Sequence, residues 1–165
     1  MKKEIFTRHV LFVEPTLYRI SKSMLHEEAD CEDAVQKSIL KAYEKLDTLK
    51  EESYFNTWLI RILMNECYTI IKKKNRIVPY EDYMEKSVEY HVDETNEIYQ
   101  AVLKLPLKIR MTIVLFYVEG YSVEEIKTIL NIPSGTVKSR LAKGRKLLQK
   151  DFGNTSRNEV KYGTI

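Results

Sequence analysis

Apolar residues recur at helical rather than alternating spacing along most of the chain. Leu17, Tyr18, Ile20, Met24 and Leu25 predict one amphipathic helix, opening at Pro15 where a short leading segment gives way. Asp30 with Asp33 three residues on reads as an N-cap and its N3 partner, which would satisfy free backbone N–H groups at a second helix start. From there Ala34, Val35, Ile39, Ala42, Tyr43 and Leu46 repeat at three- and four-residue steps. A polar break at Lys50, Glu51, Glu52 and Ser53 precedes a third stretch with Phe55, Trp58, Leu59, Ile62, Leu63, Ile70 and Ile71. That stretch closes in Lys72, Lys73, Lys74, Asn75 and Arg76. Trp58 is expected in the core.

The second half carries sharper punctuation. Ile98–Leu105 is cut by Pro106, and the pattern resumes with Ile109, Ile113, Val114 and Phe116. Gly120 can stop that helix in the left-handed conformation. Ser122 and Glu125 form a capping box before a short helix through Ile126, Ile129 and Leu130. Residues 131–134 read as a turn, and a last helix is expected from about residue 135 to 150. Val137, Leu141, Gly144 and Leu148 share one of its faces. The expected fold class is all-α: two small helical domains, 1–78 and 98–152, joined by a flexible acidic linker, 79–97, and followed by a polar tail, 153–165.

The 165 residues include 27 Lys and Arg against 24 Asp and Glu, a net charge of +3. The distribution says more than the sum. Residues 1–78 hold 14 basic and 12 acidic side chains, 79–97 hold one against seven, and 98–165 hold 12 against five. Within the last block, 131–150 carries six basic residues and no acid. All five glycines lie after residue 119, so the first body is built from long helices. No apolar run approaches the ~20 residues of a membrane span, and no leader pattern follows Met1. Direct membrane insertion is therefore not expected. Cys31 and Cys67 stand apart without a metal-binding pattern and read as small buried hydrophobes, which fits a reducing, cytoplasmic setting.

A capped short helix, a four-residue turn and a second helix with cations on its outward face make a helix-turn-helix. Val137, Leu141 and Leu148 would dock the second helix, leaving Lys138, Ser139, Arg140, Lys143, Arg145 and Lys146 for groove and phosphate. Each phosphate neutralised releases counterions, so binding should weaken steeply with salt. No GxSxG, P-loop, HExxH or GxGxxG is present, and His9, His26 and His91 are scattered as surface histidines. Neither catalytic residues, metal nor cofactor are expected.

Leu105-Pro106, Arg110, Glu119-Gly120, Ser122, Glu125-Ile126, the run 132–141 and Gly144-Arg145 closely resemble domain 4 of extracytoplasmic-function (ECF) sigma factors of the sigma-70 family. Independently, Asp33-Ala34-Val35-Gln36, Lys41-Ala42-Tyr43, Phe55 through Leu59, Arg61-Ile62 and Asn65 resemble domain 2 of the same family. The resemblance spans essentially 15–150, in the expected order.

It implies an alternative sigma factor that binds core RNA polymerase on the clamp helices and flap of its β′ and β subunits. Asp33, Gln36 and Lys41 would serve core binding, with Lys37 standing where the family usually has Glu. Tyr54, Phe55 and Asn65 become candidates for a −10 base pocket or the opened strand. Arg61, Lys72, Lys73, Lys74 and Arg76 become candidates for its phosphates. Phe55 divides equally well between core and readout. For the −35 element, Lys138, Ser139 and Lys143 fall near base edges, Arg140 and Arg145 near phosphates or bases, and Thr136 at the helix N-terminus near a phosphate. Arg110 is expected in an intradomain salt bridge. The resemblance also implies an anti-sigma factor as partner, in this family often a membrane protein. Two other readings stay open: a helix-turn-helix regulator with a sensory or dimerisation domain, and an adaptor or small helical enzyme.

Overall fold

The computed structural model describes residues 1–76 and 96–162, all helices and connecting turns with no strand among them. Apart from Asn96 and Glu97, the expected linker lies outside the described residues, as does His91. The chain divides into two compact units.

The first unit is three helices, each packed on the other two: α1 (Lys3–Leu25), α2 (Glu28–Glu44) and α3 (Phe55–Asn75). Leu17, Ile20, Met24 and Leu25 of α1, Ala34 of α2 and Leu59, Ile60 and Leu63 of α3 are all fully buried and form its core. Pro15 does not open the first helix but lies inside it. Its ring and the carbonyl it leaves unserved at Leu11 face outward, where water can satisfy that carbonyl. Phe6, Val10 and Val13 continue the apolar stripe ahead of it, so packing holds both sides of the proline in one helix.

The start of α2 also differs from expectation. Asp30 is not its N-cap; Glu27 is, with no side-chain cap bond, and Asp30 lies in the first turn. The cause is His26, whose φ of 58° reverses the chain earlier, with Glu27 N–H donating to the Leu25 carbonyl at 2.7 Å. Between α2 and α3 run two 3-10 turns, Leu46–Thr48 and Glu52–Tyr54. Trp58, expected in the core, is only half-buried, and so is Ile62.

The second unit holds α4 (Glu97–Leu103), α5 (Leu107–Ile113), a five-residue π segment (Val114–Val118), α6 (Val123–Leu130) and α7 (Ser134–Tyr162). The Asn96 side chain caps α4 by accepting from Tyr99 N–H at 3.1 Å. Gly120 takes φ 75° as anticipated, and Asn131 turns the chain at φ 54° before α7. The capping box closes both ways: Glu125 N–H donates to Ser122 Oγ at 3.2 Å, and Ser122 N–H to Glu125 Oε2 at 2.8 Å. The helix expected to stop near residue 150 runs on to Tyr162, through the segment read as tail. Gly153 lies inside this extension, and one glycine costs only about 1 kcal/mol against alanine.

The long packing contact of this unit is α5 on α7. Gly144 permits it, because a Cβ there would lie 2.6 Å from Ile113 Cδ1 and 3.1 Å from Ile109 Cγ2. Arg110 is 3% exposed and donates to the Leu105 carbonyl from Nε at 3.2 Å and Nη2 at 3.0 Å. It acts within the unit, as expected, but toward a carbonyl that ties α5 to the turn before it.

Candidate nucleic-acid interface

Helix α7 is fixed from beneath by Val137, Leu141 and Gly144, all buried. At 100° per residue, Ser139, Lys143 and Lys146 then fall within roughly 60° of one another on the opposite pole. All three are exposed. Lys138 and Arg145 flank that pole on one side, and half-buried Thr136 and Arg140 lie on the other. Ser139 Oγ donates to the Thr136 carbonyl at 3.0 Å, which orients the hydroxyl along the first turn. Arg145 Nη1 donates to Tyr117 Oη at 3.1 Å. Lys146, named with the outward cations from the sequence though not by the family motif, belongs with the central pole by rotation.

In the first unit, α3 carries a second polar and aromatic stripe. Arg61, Asn65, Tyr68 and Lys72, with half-buried Trp58, recur at three- and four-residue steps and lie within roughly 80° of rotation. Tyr54 precedes the helix and is 57% exposed. Arg76 extends the line at the helix end, and Lys73 sits to its side. Aromatic faces interleaved with cations on one surface suit stacked bases and their phosphates. Tyr68, 37% exposed, was missed because it does not belong to the family motif.

Two candidates fall elsewhere. Phe55 is 1% exposed and sits in an aromatic cluster, edge-on to Phe6 at 5.7 Å, and so belongs to the core rather than to a surface on which a base can stack. Lys74 turns inward from the stripe to pair with Glu27 at 3.2 Å and Asp30 at 3.4 Å, tying the end of α3 to the start of α2. Burial pulls the Lys74 pKa down, but the hydrogen bonds and charges of these two carboxylates outweigh it and leave it raised. It is a clamp within the unit, not a free phosphate ligand.

A third surface lies on α2. Asp33 and Gln36 are exposed on one face, and Lys37 donates to Asp33 Oδ2 at 2.9 Å. That hydrogen bond, then the charge behind it, raises the lysine pKa. Between them stands Leu40, 58% exposed, with Tyr43 at 47% on the flank. Leu40 lies roughly 160° from Ala42 on the wheel, so the burial of Ala42 turns it outward. Tyr43, read with the apolar repeat, leans its ring on Phe6 at 5.3 Å while staying half-open. Lys41 points to the other side, where its ammonium bonds the buried carboxylate of Glu66. His9 is not a plain surface histidine either. It contacts Glu52 at 2.9 Å and lies against Phe55, ring centroids 5.1 Å apart.

Comparison with known proteins finds the same family in both halves of the chain. Residues 11–77 match the sigma-70 region 2 model and 95–148 the sigma-70 region 4 model. The chain is 32% identical to the ECF RNA polymerase sigma factor SigW of Bacillus subtilis, over 91% of this chain and 90% of that one. It is 33% identical to the ECF RNA polymerase sigma-E factor of Salmonella typhimurium, over 72% of each. Among solved structures it resembles the sigma factor RpoE of Bartonella quintana, crystallised with the anti-sigma factor NepR. The TM-score is 0.72, with 27% identity over 88% of this chain and 94% of that one. CnrH, solved with the cytosolic domain of CnrY, shares the fold, with a TM-score of 0.70 and 22% identity over 93% of this chain and 90% of that one.

Proposed function

The chain belongs to the ECF subfamily of sigma-70 RNA polymerase sigma factors, and on that basis we propose how its surfaces divide the work of promoter-specific transcription initiation. It is an alternative sigma factor. The outward pole of α7, Ser139, Lys143 and Lys146 with Lys138 and Arg145 beside it, reads the −35 element in the major groove. The buried contact of Gly144 with Ile113 supports this reading most, because it fixes which residues of the helix face out.

The α3 stripe of Trp58, Arg61, Asn65, Tyr68 and Lys72, with Tyr54 at its head, receives the opened −10 strand. Opening a duplex needs a place for unstacked bases, and exposed aromatics beside cations supply one. The α2 face of Asp33, Gln36 and Leu40 docks on core polymerase, with the leucine as its apolar anchor. The domain limits 1–78 and 98–152 follow this division, and the factor works in the cytoplasm, where polymerase and promoter meet. An anti-sigma factor is a further partner, supported by the related sigma factor RpoE, solved with the anti-sigma factor NepR. No helix among the described residues is long and apolar enough to cross a membrane. The chain itself contributes binding rather than a reaction.

Purified chain mixed with sigma-free core polymerase should direct transcription from selected promoters. Lys138→Ala and Lys143→Ala should each lower it without lowering core affinity. Folded chain that neither binds core nor initiates, while binding a palindrome alone, would overturn the assignment in favour of a conventional regulator.

A further inference from the structure

The loop that precedes α3 is held by a residue from the far end of the unit. Glu52 opens the 3-10 turn Glu52–Tyr54, and its Oε1 lies 2.9 Å from His9 Nε2, 43 residues earlier on α1. An ionised carboxylate can only accept, so Nε2 carries the proton and donates it. The same imidazole lies tilted against the Phe55 ring at 5.1 Å, and Phe55 is edge-on to Phe6, also on α1. The turn is therefore fixed at both ends. Its first residue is bonded to His9, and the residue just after it is buried against His9 and Phe6. Tyr54 lies between these two anchors and is left exposed. A 3-10 turn of three residues makes few hydrogen bonds of its own, so its direction depends on such outside contacts.

We infer that His9 is a positioning residue for the −10 element: through Glu52 and Phe55 it sets the placement of the turn that presents Tyr54 to the opened strand. This rests on the reading that the turn and the α3 stripe receive that strand. His9 touches no DNA in this account. Its effect is confined to melting and −10 preference, and it leaves core docking on α2 and −35 reading on α7 alone.

The test uses full-length chain reconstituted with core polymerase and a promoter pool randomised at both elements. Wild type first selects its own promoters from the pool, and opening is then followed with a fluorescent base analogue in the selected −10 element. His9→Phe keeps a ring against Phe55 but removes the donor; His9→Gln keeps a donor; Glu52→Ala removes the acceptor. Expected are roughly two- to fivefold slower opening and a broadened −10 preference for His9→Phe and Glu52→Ala, the range of one partly exposed polar pair. The double variant should be no worse than either single, and His9→Gln should be close to wild type. Core affinity and the selected −35 sequence should not move. Unchanged opening in His9→Phe, additive losses in the double, or equal defects in His9→Gln and His9→Phe would overturn the inference. Failure of wild type itself to open any promoter would instead overturn the function from which it starts.

Discussion

Arg145 Nη1 donates to Tyr117 Oη at 3.1 Å, so a cation on the recognition helix takes its direction from a residue of the π segment. The wider π turn swings Tyr117 out to 54% exposure, while Phe116 stays half-buried with the two ring centroids 4.9 Å apart. Tyr117→Phe keeps that ring contact and deletes the acceptor. We predict roughly two- to fivefold weaker binding to a −35 duplex, the scale of an exposed polar pair, with unchanged helix content. Fluorescence anisotropy on a selected duplex checks it, and unaltered affinity would show Arg145 to be positioned without the tyrosine.

Gly144 faces Ile113 with no room for a methyl group. Gly144→Ala is expected to destabilise the second unit by roughly 1–3 kcal/mol, the usual cost of overpacking. Ile113→Val removes Cδ1 and should relieve part of the clash, so the double variant should lose less than the two singles added. Denaturant unfolding of all three proteins gives the comparison.

The pole of α7 should show itself in salt dependence. Replacing Lys143 or Lys146 by alanine should lower the slope of log affinity against log salt by about one for each phosphate left without its cation. Lys143→Ala should in addition relax base preference in a selection experiment if it reaches base edges. Lys74→Ala should leave the slope unchanged, because that ammonium is held by Glu27 and Asp30. Its effect is expected in thermal stability instead.

The two thiols predict a pH dependence. Burial pushes Cys31 from 9.0 up to about 11 and raises Cys67 still further. The folded chain therefore keeps protons that the unfolded chain releases above pH 9. Stability is full below that pH and falls as it rises through about 11, by up to about 1.4 kcal/mol per unit for each thiol. Neither thiol should react with a disulfide reagent at pH 8 until the protein unfolds. Fast labelling of folded chain would contradict the burial of Cys31 and Cys67.

Much of this architecture could be read from the residues because it is locally encoded. The capping box at Ser122 and Glu125, the left-handed Gly120 and the apolar stripe of α7 each depend on neighbours within one or two turns. What escaped the sequence depends on distant partners. Pro15 looks like a boundary until Phe6, Val10 and Val13 are seen buried ahead of it. Phe55 and Trp58 sit three apart and carry equal hydrophobic signal, yet Phe6 and His9 cover only the first. Lys72, Lys73 and Lys74 look alike as a run. Rotation of α3 aims one of them at two carboxylates at the start of α2 and leaves the others outside. The site was thus legible as motifs, whereas which members of each motif face solvent had to come from packing.

The three helices of the first unit are also consecutive in the chain, and each packs on the other two. All of their mutual contacts are available once Asn75 has been made, and contacts of modest sequence separation form quickly. Domains generally fold as units during synthesis, the N-terminal one first. The α2 surface can then be complete on the ribosome while α7 is still untranslated. The factor would acquire its grip on polymerase before its means of choosing a promoter.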